Sequence, residues 1–312
     1  MLGRIEPFKQ AALRHLATSD FSSCTVTLSM SSERSVVSEA PERFDRPTNL
    51  GFHPAIAPGT LVARVFVRLA IVSDIHGNLP ALEAVVADFE RRGVDRVVNL
   101  GDGLSGPLLP RETAQYLMAT DWIHLAGNHE RQLLEFAHAP SDADAYAHGL
   151  LDDATFAWMA TLTSKLALDE HVLLCHGTPR SDVEYFLDTP TGFHTRPASP
   201  AEIEDRLDGV TAPVVVCGHT HSPRIMRSPR GQLLVNPGSV GQPAYLATRP
   251  HPHVMESGSP NARYAIVERS GADWKAELVA VPYDHRSMAA LARSRGRVDW
   301  ERALSSGYAS PS

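Results

Sequence analysis

Seven side chains of metal-ligand type stand directly after apolar runs: Asp74 and His76 in SDIHGN, Asp102 in LGDG, Asn128 in AGNHE, His176 in LLCHGTP, and His219 and His221 in VVCGHTH. Carboxylate, imidazole and amide donors without a thiolate suit Mn²⁺ and tolerate Fe, Zn or Ni. Taken singly, each has a plainer use: Asp74 capping a turn, Asn128 capping a helix, Asp102 filling a glycine-flanked loop. Together they match what two adjacent divalent ions require, with one carboxylate shared between them. Within GHTH, two histidines spaced by two on extended chain point the same way, so both rings can join one cluster without binding one ion.

Such residues converge only if the runs before them are strands of one sheet system, because ligands of α/β sheets gather at strand carboxyl ends. The pattern predicts this. VFVRLAIVS reads as a strand, and PALEAVVADFERRG as a helix with Leu82, Val85, Val86 and Phe89 on one face, Pro80 in its first turn and Gly93 at its stop. VDRVVNL and WIHLA are further strands, RETAQYLMA and ERQLLEFA helices, and residues 143 to 164 helical as well. This alternation is that of a parallel α/β sheet. The second half changes to short strands with turn-like connections (KLALDEHVLLC, PVVVC, RIMR, QLLV, RYAIVE, WKAELVAV), a mixed or mostly antiparallel sheet, before a terminal helix from about Arg286. Two β-rich halves face to face with helices outside make one sandwich domain, residues 64–312. Glycines beside the candidate ligands, such as Gly101, Gly127 and Gly218, suit sharp turns with close backbone approach.

Residues 1–63 read differently, rich in Ser, Thr and charge, without sustained periodicity and ending in HPAIAPGT. They are expected to be disordered or loosely attached, with the natural translation start downstream near Val65 or Val67. Over 312 residues, 43% hydrophobic content supports a full core, and a net charge of -7 without a long Lys/Arg run argues against binding polymeric nucleic acid. A small phosphorylated substrate remains compatible. Cys24, Cys175 and Cys217 are too few and scattered for a disulfide framework, which fits a reducing cytoplasm; Cys175 and Cys217 read as small core residues. No run reaches the roughly 18 apolar residues of a membrane span, and the first residues lack the apolar core of a signal peptide.

The ordered set D-x-H, GD, GNHE, H-G and GHTH resembles the calcineurin-like metallophosphoesterase superfamily, and SDIHGN and NPGSVGQP are most similar to its small bacterial and archaeal phosphodiesterase-like branch. The resemblance covers about residues 67 to 283. It implies a four-layer α/β/β/α sandwich of two mixed β-sheets with outer helices. It also implies one ion held by Asp74, His76, Asp102 and His221 and a second by Asp102, Asn128, His176 and His219. His129 would be the acid or electrostatic aid near the leaving group, and NPGSVGQP a loop near the metals. The implied reaction is hydrolysis by a metal-bridging hydroxide, without a phosphoenzyme.

One departure bears on substrate. The protein-phosphatase branch reads GD-x-x-D-R-G, where this chain has GDGLSGP, with Ser105 and Gly106 in place of the Asp and Arg. The arginine would clamp a phosphomonoester bidentately, and the aspartate would orient His129; Arg131 and Arg180 are the candidates to compensate. The reading therefore favours phosphodiester or phosphoanhydride substrates, perhaps nucleotide-like. Alternatives are a phosphomonoesterase or protein phosphatase, a dinucleoside polyphosphate hydrolase, and a non-catalytic scaffold, against which every ligand position is filled. His251 and His253 lie in TRPHPHVMESGSPN and read as a solvated loop; His124 and His171 read as structural.

Overall fold

The computed structural model describes residues 68–136, 141–271 and 273–309. The expectations for residues 1–63 lie outside them. The first half alternates as the sequence pattern requires: β1 (Arg68–Val72), α1 (Leu79–Arg92), β2 (Arg96–Asn99), α2 (Pro110–Met118), β3 (Ile123–His124) and α3 (Asn128–Leu134). The segment expected to be helical splits into α4 (Asp142–His148) and α5 (Asp153–Met159). There follow β4 (Lys165–Ala167), β5 (Val172–Cys175), a hairpin of β6 (Asp188–Thr191) and β7 (His194–Pro197), α6 (Pro200–Arg206), β8 (Val214–Val216), β9 (Arg224–Arg227) and β10 (Leu233–Asn236). A second hairpin, β11 (Ala244–Ala247) and β12 (His253–Glu256), precedes β13 (Ala262–Ser270), β14 (Asp273–Val281), α7 (His285–Ser294) and α8 (Val298–Ser306).

One sheet runs β14-β13-β1-β2-β3, parallel from β1 to β3 and antiparallel at β13 and β14. The other runs β4-β5-β8-β10-β9, a parallel centre with an antiparallel strand at each edge. Both are mixed. Their packing follows from strand alternation. Leu69 and Ile71 of β1 face Val172 and Leu174 of β5, Val214 and Val216 of β8, and Leu233 and Val235 of β10 in a core between the sheets. Ala70 and Val72 point the other way, onto Leu82, Val85 and Phe89 of α1. Cys175, Val215 and Leu234 point outward from the second sheet onto Ile203 of α6 and Leu207. Helix, sheet, sheet, helix is the expected four-layer order.

Helix α1 shows how the sequence sets a boundary. Asn78 Oδ1 caps it by accepting from Ala81 N at 3.3 Å, Pro80 sits in the first turn, and Gly93 closes it at φ 67°, a left-handed turn that a residue without Cβ adopts cheaply. Both hairpins, β6–β7 and β11–β12, escape the sequence pattern because their strands are four residues long and none alternates apolar with polar residues. Among the described residues no helix is long and apolar enough to cross a membrane.

Helix α1 is also pinned by charge. Asp88 accepts from Tyr264 Oη at 2.7 Å and Arg92 Nε at 2.7 Å. Burial opposes its ionisation, yet these donors hold the carboxyl below its ordinary value. A depressed carboxyl contributes stability that is present above its unfolded pKa and lost as pH falls through the folded one. Tyr264→Phe is therefore expected to cost about 1–3 kcal/mol at neutral pH, with the difference from wild type shrinking below the ordinary carboxylate range. Urea unfolding at neutral and acid pH measures it.

Candidate metal centre

The seven residues meet at one end of the two sheets, where β1, β2 and β3 of one and β5, β8 and β10 of the other finish. The chain turns there under strain. Among the described residues six non-glycine residues have positive φ, and five are Asp74 (56°), His76 (50°), Asp102 (54°), His219 (67°) and His221 (56°). A left-handed turn costs an ordinary residue of order 1 kcal/mol or more and persists where the surroundings impose it. It also corrects the geometry expected for GHTH. His219 and His221 lie beyond the end of β8, off extended chain, and their rings diverge: His221 sits 5.0 Å from His76 and His219 5.3 Å from His176, centre to centre.

Two donor sets result. Asp74, His76 and His221 present ligand atoms within 4.8 Å of one another, and so do Asp102, His176 and His219. Asn128 joins the second, its Oδ1 3.2 Å from His176 Nε2. Backbone carbonyls fix the tautomers. His76 Nδ1 donates to Ser105 O at 2.7 Å, His176 Nδ1 to Leu100 O at 2.9 Å and His221 Nδ1 to Gln242 O at 2.7 Å. Each leaves an Nε2 lone pair facing inward, the orientation that outer hydrogen bonds give a metal-binding imidazole. His219 is reversed, with Nε2 donating to Val183 O at 3.1 Å and Nδ1 left to the cluster.

Acceptors thus confront acceptors. His76 Nε2 and His221 Nε2 are 3.2 Å apart, and His176 Nε2 lies 3.1 Å from Asp102 Oδ2. Asp74 Oδ1 is buried without a hydrogen-bond partner. Such facing lone pairs need protons or cations between them, so this donor set fits divalent ions. The titration pattern expresses the same frustration. Burial and the neighbouring His221 push His76 down to about 3; burial and His176 push His219 down to about 4. Against the cost of burial, Asp102 and Asp74 drive His176 up to about 10. Burial also opposes ionisation of Asp74 and Asp102, yet His221 lowers the first carboxyl and His176 the second.

Neighbouring loops supply the frame. Glu130, the last residue of GNHE, accepts from the backbone N–H of Asp102 (2.8 Å), Gly103 (2.8 Å) and Gly127 (2.7 Å), tying the turn after β2 to the turn after β3. Gly101 and Gly127 pack so closely that a Cβ on Gly101 would strike Gly127 N, and one on Gly127 would strike Asp102 Oδ1. NPGSVGQP lies near the donors as expected: Ser239 Oγ donates to Asp74 O at 2.7 Å, and Gln242 O receives His221. Asn236 Nδ2 donates to Gly218 O at 2.7 Å and steadies the GHTH turn.

His129 N donates to Asp102 Oδ1 at 2.8 Å, and its Nδ1 donates to Asp144 Oδ1 at 2.8 Å. An aspartate does orient this histidine, then, from α4 instead of from the GD loop. Burial lowers the basicity of His129, but Asp102 and Asp144 outweigh it and raise the ring to about 9. Arg131 and Arg180 do not compensate for the missing arginine: Arg131 forks onto Asp182 at 2.7 and 3.2 Å, and Arg180 is committed to Glu184 and Asp205. Cys175 and Cys217 are buried free thiols, Cys175 pushed up to about 12 by burial, as core residues should be.

His253 overturns the solvated-loop reading. It is fully buried at the start of β12 and bonds Tyr185 Oη at 3.1 Å. Tyr185 Oη meets Tyr245 Oη at 3.1 Å, and Tyr245 Oη donates to His219 O at 3.2 Å. The chain of groups ends on a candidate ligand. His124 is structural as expected, stacked on Trp122 with Nε2 3.0 Å from Thr120 Oγ1. A cleft of about 1290 Å³ opens over the donors and is walled on one side by Arg297, Trp300 and Arg302 of the C-terminal segment. Trp300 stands edge-on to His76 at 6.0 Å.

Residues 67–256 match the calcineurin-like phosphoesterase superfamily domain. The chain is 28% identical over 239 residues to an uncharacterized protein of Methanocaldococcus jannaschii, covering 69% of this chain and 88% of that one. In three dimensions it is similar to the crystal structure of a metallophosphoesterase from Sphaerobacter thermophilus, with a TM-score of 0.60, 24% identity, and coverage of 77% of this chain and 99% of that one.

Glu130→Gln keeps the size of the side chain but turns an amide donor toward N–H groups. It is expected to lower stability by about 1–3 kcal/mol, read as a fall in the unfolding midpoint of chelator-treated protein. Tyr245→Phe removes the tether on His219 O. It is expected to weaken Mn²⁺ binding by about ten-fold or more in calorimetric titration while leaving the apo unfolding midpoint within a few degrees of wild type.

Proposed function

Since this chain belongs to the calcineurin-like phosphoesterase superfamily and is a metal-dependent phosphoric ester hydrolase, we propose that it hydrolyses phosphodiesters at a centre of two divalent ions. Asp74, His76, Asp102 and His221 would hold one ion and Asp102, Asn128, His176 and His219 the other, with Mn²⁺ best suited to oxygen and imidazole donors without thiolate. The support is the two donor sets with inward lone pairs and the buried Asp74 Oδ1, which lies 3.3 Å from His221 Nε2 without a hydrogen bond of good geometry. When bound, such ions act as Lewis acids and activate water for attack on phosphorus.

The chain's own residues do the rest. His129 holds its Nδ1 proton on Asp144 and carries a second proton on Nε2, which it offers to the departing oxygen. Asp144 accepts from His129 Nδ1 at 2.8 Å, so it keeps the ring oriented even when cations draw on the charge of Asp102. Trp300 and the C-terminal helices narrow the cleft above His76. The diester preference rests on one observation: Arg131, two residues after His129 and the cleft guanidinium nearest to it in sequence, is turned to Asp182. A phosphodiester group carries one negative charge on its oxygens where a monoester carries up to two, and it needs no such clamp. A small phosphorylated substrate in a reducing cytoplasm accords with the thiols of Cys175 and Cys217.

Mn²⁺-loaded protein is expected to turn over bis(p-nitrophenyl) phosphate faster than p-nitrophenyl phosphate, with both activities lost to chelator. His129→Ala should lower kcat about 10²–10⁴-fold, and Asp144→Asn about ten-fold or more. Faster turnover of the monoester would reverse the substrate assignment, and activity that survives chelation would overturn the reading as a whole.

A further inference from the structure

We propose that the cleft carries a second subsite, formed by Val183, Phe193, Leu246 and Arg249, that takes the leaving group of the substrate as a flat aromatic ring bearing a further anionic group, that is, a nucleotide. The proposal rests on the phosphodiesterase reading and extends it to substrate class.

Among the described residues nine large hydrophobic side chains are exposed, and three of them line this one cleft: Val183 at 50%, Phe193 at 48% and Leu246 at 56%. Scattered apolar side chains need no explanation, but a group of them on one cleft wall marks a binding surface. The group is continuous with the donor cluster. Val183 O receives His219 Nε2 at 3.1 Å. Phe193 O, in the turn of the β6–β7 hairpin, receives Val254 N at 3.0 Å, and Val254 lies directly across from Leu246 in the β11–β12 pair. Half-buried Tyr185 and Tyr245 line the cleft beside these residues, and buried His253 holds Tyr185.

Three side chains make too short a surface for a long alkyl chain and one suited to a single planar ring, for which an exposed phenyl offers a stacking face. Charge completes the specification. Arg249 follows β11, lines the same cleft, is exposed and makes no ion pair among the described residues, whereas Arg131 and Arg297 there are held by Asp182 and Asp299. A guanidinium left without a carboxylate at a phosphoester site reads an anion. The donor cluster would hold the phosphate that reacts, and Arg249 an additional one.

The test is calorimetric binding of AMP, ADP, ribose 5-phosphate and octyl phosphate to the Mn²⁺-loaded full chain, with each nucleotide checked chromatographically for integrity. AMP is expected to bind about ten-fold tighter than ribose 5-phosphate, a preference lost in Phe193→Ala and kept in Phe193→Tyr. ADP should bind tighter than AMP, and Arg249→Ala should abolish that difference. Equal binding of AMP and ribose 5-phosphate, tighter binding of octyl phosphate than AMP, or a preference untouched by Phe193→Ala would overturn the subsite. So would an ADP advantage that survives Arg249→Ala. Turnover of bis(p-nitrophenyl) phosphate without ring preference would overturn the subsite alone; ring preference without turnover of that diester would overturn the phosphodiesterase reading alone.

Discussion

Two buried carboxylates, Asp74 and Asp102, set the terms for everything around them. Each is removed from water at the end of a parallel strand, and each faces imidazole nitrogens whose other ring position is already spent on a backbone carbonyl. Burying such charge is tolerable only when positive charge is brought to it. The protein supplies too little of its own, so the lone pairs of His76 and His221 are left to face each other. The same arrangement that would be a fault in a hydrophobic core is a binding site for cations.

Holding that arrangement requires the backbone to do what side chains resist. Five donor residues sit in left-handed turns, and the loops around them approach within van der Waals contact of Gly101, Gly127 and Gly218. Functional sites store strain of this kind when the surrounding scaffold over-determines it. Here the scaffold is two sheets sharing one core, with Glu130 binding three amides and NPGSVGQP bridging from β10 back to Asp74 and the GHTH turn. Rigidity at the strand ends and strain at the turns are two sides of one design.

Much of this was legible in the sequence, for a physical reason: the donors follow apolar runs at once, so naming the strands also places the ligands. What escaped was anything fixed by tertiary contact alone. Asp144 reads locally as part of a helix start behind Ser141, and nothing in SDADAYAHG reveals that its carboxylate reaches His129. Glu130 left a fainter signal, since an acidic residue three positions into a helix often turns back to cap it. His253 was misjudged because Pro and Gly around it suggest a loop, while burial under Tyr185 depends on a hairpin whose strands are too short to announce themselves.

The wall formed by α8 has a consequence in time. The donor residues span positions 74 to 221, whereas Trp300, which stands against His76, belongs to the last helix, and Arg295 just before it fastens onto the carbonyls of Pro107 and Leu108. Synthesis runs from the amino end, and domains acquire their long-range contacts late. A growing chain therefore has all its metal-type donors before it has Trp300 and the side of the cleft that it forms.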